Sequence, residues 1–205
     1  MPYFEGRNRA DAIDGTNGQD VIVGLRGDDV LNGLAGDDTI LGGAGKDMID
    51  GGLGDDNIRG DDGRDQIHGG EGNDKIYGGD GGDTIFGDAG NDLPKGGEGD
   101  DVLDGGEGDD RLYGGTGADS LTGGTGADRF SFGLNDTLVA AYDTVTDFER
   151  GTDHIDLGGA TYTQAVQGMN TLLSIDFDDN GSFESQILVN GDTPLTASDF
   201  LTTPV

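Results

Sequence analysis

Thirteen aspartates stand nine residues apart: Asp20, Asp29, Asp38, Asp47, Asp56, Asp65, Asp74, Asp83, Asp92, Asp101, Asp110, Asp119 and Asp128. Each sits two residues after a glycine: Gly18, Gly27, Gly36, Gly45, Gly54, Gly63, Gly72, Gly81, Gly90, Gly99, Gly108, Gly117 and Gly126. Carboxylates about 4 Å apart repel by roughly 4 kcal/mol at an effective dielectric near 20. A chain that repeats this arrangement needs a counter-ion. Carboxylate and carbonyl oxygens are hard donors, and calcium takes roughly six to eight of them at about 2.3–2.6 Å. Magnesium demands stricter octahedral geometry and releases water reluctantly, so it fits less well.

The spacing defines the elements that must position these groups. Cut every nine residues from Gly15, the chain reads GTNGQDVIV, GLRGDDVLN, GLAGDDTIL and so on to GGTGADRFS, thirteen unbroken blocks ending at Ser131. The first and fourth places are always Gly and the sixth always Asp; the eighth is Ile, Leu or Phe except at Pro94. The second place is Gly43, Gly52, Gly70, Gly79, Gly97, Gly106, Gly115 or Gly124 in eight blocks and Thr16, Leu25, Leu34, Asp61 or Asp88 in the others. Glycine at the first and fourth places is expected to permit positive φ and turn carbonyls inward. The last three places form a minimal strand with the eighth side chain inward. Two blocks make one coil, and coils stack in parallel about 4.8 Å apart. Stacking faces sixth-place aspartates in rows, with the metal held between turns by Asp carboxylates and by second- and fourth-place carbonyls. Thirteen blocks paired two apart give about eleven sites. Fifth-place acids vary to Lys46, Arg64 and Ala118 and are assigned to solvent or to the outer-sphere field.

Composition agrees. Forty-two acidic against eleven basic residues give a formal charge of −31, which excludes nucleic-acid binding by bulk electrostatics. There is no cysteine, so disulfides and thiolate chemistry are excluded. The start, MPYFEGRNRADAIDG, has no apolar core of a cleaved signal, and no run of apolar residues is long enough to span a membrane as a helix. A Gly-rich acidic linker would be disordered, but it would not hold four places in phase through thirteen blocks.

The pattern GGxGxDxUx, with U a large apolar residue, resembles the RTX nonapeptide of bacterial type I secreted proteins, as in the C-terminal parts of serralysins and the R-modules of mannuronan epimerases. The resemblance covers Gly15 to Ser131. It implies an all-β chain, a right-handed parallel β-roll (a two-sheet solenoid) with calcium between successive turns on each edge. It also implies extracellular localisation, with export by a type I system through an uncleaved C-terminal signal.

Residues 1–14 read as a degenerate capping repeat, with Arg9 at the fourth place. Residues 132–205 read as a small β cap, with strands expected in DTVTDF, HIDL, LLSIDF and QILV, and a terminal LTASDFLTTPV like a secretion tail. Asp176, Asp178, Asn180 and Gly181 mimic the start of an EF-hand loop, but Ile187 stands where the bidentate Glu belongs, so the segment reads as a hairpin turn. HExxH is absent, His68 and His154 fall on strand positions, and GGAGKDM around Lys46 lacks a Walker loop's first glycine and its Ser/Thr. The chain is therefore not read as an enzyme. Block parity puts Arg59, Lys75, Lys95, Arg111, Arg129, Tyr77 and Tyr113 on one outward face, a basic strip suited to an acidic polysaccharide or to further copies of the chain. Three roles stand open. The order of cap, repeats and tail, with no space for a catalytic unit, favours a free-standing secreted calcium-binding protein with a structural or matrix role. An accessory polysaccharide-binding module and the folding and secretion module of a larger exoprotein are the others.

Overall fold

The eighth-place side chains decide the architecture. Ile22, Leu31, Ile40, Ile49, Ile58, Ile67, Ile76, Ile85, Leu103, Leu112, Leu121 and Phe130 form one buried column between two sheets. Each buried side chain of this size contributes about 1.5–3 kcal/mol. The structure, a computed structural model, describes residues 1–133, 142–167, 169–176, 185–191 and 195–201.

The strands are β1 (Tyr3–Glu5), β2 (Ala12–Asp14), β3 (Val21–Arg26), β4 (Val30–Asn32), β5 (Thr39–Gly45), β6 (Met48–Leu53) and β7 (Asn57–Gly63). They continue as β8 (Gln66–Glu71), β9 (Lys75–Asp80), β10 (Thr84–Ala89), β11 (Leu93–Glu98), β12 (Val102–Glu107), β13 (Arg111–Thr116), β14 (Ser120–Thr125) and β15 (Arg129–Ser131). After the repeats come β16 (Asp143–Val145), β17 (His154–Asp156), β18 (Thr161–Gln167), β19 (Asn170–Asp176) and β20 (Ser185–Asn190). Odd strands β1 to β17 form one nine-stranded sheet. Even strands β2 to β16 join β20, β19 and β18 in an eleven-stranded one. Neighbours in the repeats are parallel and exactly one coil apart, as in Ile22↔Ile40 and Ile40↔Ile58. The chain is thus an all-β parallel roll of two sheets, as the resemblance implies.

Two details of the repeat differ from expectation. Most strands run six or seven residues, from the seventh place through the third place of the next block, not three. The ladder continues through the bend because fourth-place N–H groups donate to third-place carbonyls one coil on, as from Gly27 to Ala44 at 2.8 Å. Positive φ falls on the second and fourth places, not the first and fourth: Gly52 has φ 104° and Gly54 123°. The second place keeps this conformation even without glycine, at Leu25, Leu34, Asp61 and Asp88. First-place glycine is needed for space instead.

Residues 1–14 contribute β1 and β2, with Phe4 and Ile13 packed against the core. After Ser131, β16 and β17 add one parallel rung to each sheet. β19 and β20 pair antiparallel and bury Leu173, Ile175, Ile187 and Val189 against the end of the roll. Asp176 and Ile187 lie on these two strands. The rest of the EF-hand-like segment (Asp178, Asn180, Gly181) lies outside the described residues, as do residues 202–205 of the tail.

Pro94 is buried at the inward place and in register with Ile76. On its other side, pairing with β13 begins only at Lys95, because proline has no N–H to give. Pro94→Ile restores a ladder bond worth about 0.5–1.5 kcal/mol and adds buried carbon at roughly 0.8 kcal/mol per methylene. In saturating calcium the variant is expected to be about 1–2 kcal/mol more stable by thermal unfolding. A lower melting temperature would show that the strand has rearranged around proline.

Candidate metal centre

Each interior sixth-place aspartate has two differently used oxygens. One accepts the backbone N–H of the aspartate one coil earlier: Asp20 to Asp38 Oδ1 at 2.7 Å, Asp38 to Asp56 at 2.7 Å, Asp47 to Asp65 at 2.8 Å, Asp92 to Asp110 at 2.7 Å. This ladder fixes the carboxylate plane. The other oxygen is buried, and in Asp29, Asp38, Asp47, Asp56, Asp65, Asp74, Asp83, Asp92, Asp101, Asp110 and Asp128 it has no hydrogen-bond partner. Eleven buried carboxylate oxygens without a donor are too costly to be left alone.

Carbonyls face the same gaps. Gly52 O is aimed at Gly70, one coil on, and Gly54 O at Gly72. From the next coil, a first-place carbonyl points back. A Cβ on Gly69 would lie 2.5 Å from Asp74 Oδ2 and 2.7 Å from Gly87 O. Each gap is therefore lined by the second- and fourth-place carbonyls and the free Asp oxygen of one turn, with a first-place carbonyl of the next. Among the described residues, no three His, Cys, Asp or Glu side chains gather at one point. A cation here has to draw on backbone carbonyls as well as carboxylates. That all-oxygen donor set fits calcium.

Electrostatics agree. Burial, with neighbouring carboxylates adding to it, pushes Asp101 up to about 8, Asp56, Asp65, Asp92 and Asp128 up to about 7, and Asp47, Asp74 and Asp110 up to about 6. The ladder N–H groups oppose this shift without cancelling it. A raised carboxyl pKa means that the ion-free roll binds protons which the unfolded chain releases, so its stability rises as pH falls. In chelator, strand circular dichroism should grow as pH drops from about 8 toward about 4, the unfolded range of Asp. A signal that is flat or falling over that window would mean that the rows are not desolvated as described.

The sequence-derived ligands are thus brought together, with three qualifications. First, the rows extend beyond the nonapeptides. Asp119 N–H donates to Asp143 Oδ1 at 3.0 Å and Asp128 N–H to Asp153 Oδ1 at 3.1 Å. At the other end, Asp11 N–H donates to Asp29 at 2.7 Å. The signal for the two tail residues was present as D-x-U in DTV and DHI, hidden because the glycine turn before it is replaced. Second, three end turns are closed by their own backbone. The N–H four residues earlier donates to Oδ2 in Asp11 (from Arg7, 2.6 Å), Asp20 (from Thr16) and Asp153 (from Glu149, 2.8 Å). Thr16 and Gly18 lack the positive φ of their counterparts in later blocks. Asp20 and Gly18 therefore stand in a turn where Asp20 Oδ2 is already taken, and it is Oδ1 of Asp20 that is buried without a partner. Third, the first-place carbonyls, expected to face inward but not counted among the ligands, line the gap as well.

Fifth-place acids are exposed, as expected, and form a ladder of opposite sense. Asp28 accepts from the Lys46 N–H at 2.9 Å and Asp109 from the Ala127 N–H at 2.9 Å. His68 stacks on Phe86 at 4.6 Å and contacts Asp88 at 2.9 Å on the outer face of the roll.

Residues 5–40, 24–58, 59–94 and 95–130 match the family model described as RTX calcium-binding nonapeptide repeat (4 copies). Among solved structures, the AlgE6R2 subunit of the Azotobacter vinelandii mannuronan C5-epimerase is similar at 31% identity over 64% of this chain and 94% of that one, with a TM-score of 0.53. The extracellular lipase LipA of Serratia marcescens is similar at 17% identity over 98% of this chain, with a TM-score of 0.41. This chain spans 40% of that lipase's length. No curated protein matches the chain.

Proposed function

Because this chain belongs to the RTX calcium-binding nonapeptide repeat family, we propose that it is a secreted protein that folds on meeting extracellular calcium and serves a structural or matrix role outside the cell. The observation that carries this reading is the row of buried sixth-place carboxylate oxygens without a donor. When bound, calcium supplies positive charge to the gaps between turns. The chain's own groups hold it: the second oxygens of the sixth-place aspartates, the second- and fourth-place carbonyls and the first-place carbonyls. Eleven ions carry +22, taking −31 to −9 and removing most of the self-repulsion. Binding energy is then folding energy. An affinity of roughly 10⁻⁴–10⁻³ M, typical of extracellular modules, would leave the chain unfolded in the cytosol and folded outside.

Native mass spectrometry should count about eleven calcium ions on the folded chain, and two or three would refute the row-wide reading. Export is tested separately. With a type I exporter in the same cell, the full chain should reach the medium and a chain ending at Gly191 should not.

A second reading, an accessory polysaccharide-binding module, is supported by the likeness to the epimerase subunit and by one face of the roll. The nine-stranded sheet carries the ladder Arg59, Tyr77, Lys95, Tyr113, with cations over rings at 5.3 and 4.8 Å, and Arg111 lies 5.0 Å from Tyr113. Arg59 and Arg129 are partly neutralised by Asp61 and Asp156. This leaves Lys75, Lys95 and Arg111 as the cations most available to a polyanion.

A further inference from the structure

The ends of the two sheets are not alike. At the N-terminal end β1 and β2 are three residues long and carry Glu5 and Asp14. At the other end of the nine-stranded sheet, β17 is three residues long, and Leu201 N–H donates to Ile155 O at 2.9 Å, so the tail covers it. The eleven-stranded sheet ends on β18, TYTQAVQ, with all seven residues exposed. β18 pairs with β19 along its whole length, and among the described residues no strand lies on its outer edge.

Proteins usually blunt an exposed edge by shortness, charge, proline or a bulge. β18 has none of these. It is among the longest strands of the chain, is rich in β-forming residues and contains no charge, although 53 of the 205 residues are charged. Its outward face is separate from the core. Thr163 and Ala165 lie opposite Ser174 and Leu172, whereas Tyr162 stacks on Phe200 at 4.4 Å and Gln164 reaches Leu195 O at 3.3 Å on the other face.

We infer that β18 is the interface through which two copies of this chain pair, antiparallel and edge to edge, about a twofold axis at Gln164. A second copy is the occupant that the charge pattern favours. Two chains of this net charge repel across most of their surface, and every other sheet end carries an acid. β18 is uncharged and self-complementary. In this pairing Tyr162 meets the partner's Val166, Thr163 meets the partner's Ala165, and Gln164 meets its own counterpart. Pairing requires the calcium-folded state of the reading above, and reducing the net charge by calcium loading favours it.

The test is mass by light scattering in saturating calcium, with circular dichroism on the same samples to report folding independently. The parent is expected at twice the 21.0 kDa chain mass. Thr163→Lys alone and Ala165→Glu alone should each be monomeric with unchanged strand signal, because each places like charges in the interface. Mixing the two variants should restore a dimer, since Lys at 163 then faces Glu at 165 of the other chain. A monomeric parent that is fully folded, or variants that stay dimeric, would overturn the assignment. Failure of the parent to fold in calcium would instead sink the calcium reading on which pairing rests.

Discussion

A chain ending at Ser131 should need several-fold more calcium to reach full strand signal than the intact chain, or should aggregate. Removal of residues 132–205 takes away β16 and β17 together with Asp143 and Asp153, which accept the ladder bonds of Asp119 and Asp128. It also uncovers Leu121 and Phe130, both fully buried in the intact chain. Re-exposing two such side chains costs about 3–6 kcal/mol, a large part of the roughly 5–15 kcal/mol that stabilises an ordinary domain. The truncation further leaves two parallel edges open to other chains. Calcium titrations of the two proteins, followed by circular dichroism and light scattering, check this. Superimposable titrations would reduce the tail to an export tag.

The second large effect is expected at Gly69. Its φ is not left-handed, so alanine suits the backbone, but its Cβ would sit 2.5 Å from Asp74 Oδ2 and 2.7 Å from Gly87 O. Gly69→Ala therefore fills the space between a candidate ligand carboxylate and a candidate ligand carbonyl. Overpacking of this kind costs typically about 1–3 kcal/mol, and loss of a calcium ion adds to it. The variant should melt well below the parent in saturating calcium and hold at least one ion fewer by native mass spectrometry. Gly18→Ala is the control, because nothing lies within 4 Å of a Cβ there. It should change stability by no more than about 0.5 kcal/mol. Equal effects at both positions would mean that the first-place glycines do not frame the site.

Much of this was legible in the chain. A nine-residue phase fixes which side chain is inward, and a two-block coil follows from strands that must stack in parallel. The aspartate rows follow from that coil. What the sequence did not reveal depended on backbone geometry. Glycine at the first place reads as a φ requirement, yet it answers a steric one. Positive φ at the second place is invisible where Leu25 or Asp61 occupies it, because the neighbouring coils impose the conformation. Thr16 reads as one more non-glycine second place, although its N–H closes the turn onto Asp20. Asp143 and Asp153 escaped because their spacing leaves the nine-residue phase while their place in the ladder does not. β18 escaped because TYTQAVQ shows little alternation of polarity, and an edge strand exposed on both faces needs none.

Far-ultraviolet circular dichroism of the full chain at pH about 8 tests the central claim most directly, because at that pH protons compete least for the raised carboxyls. In excess chelator the spectrum should be that of an unfolded chain. Adding calcium should bring in strand signal cooperatively, with a midpoint of roughly 10⁻⁴–10⁻³ M, and magnesium at the same concentrations should not. A native strand spectrum that persists in excess chelator would contradict the account, since the aspartate rows would then be stable without the ion they are built to hold.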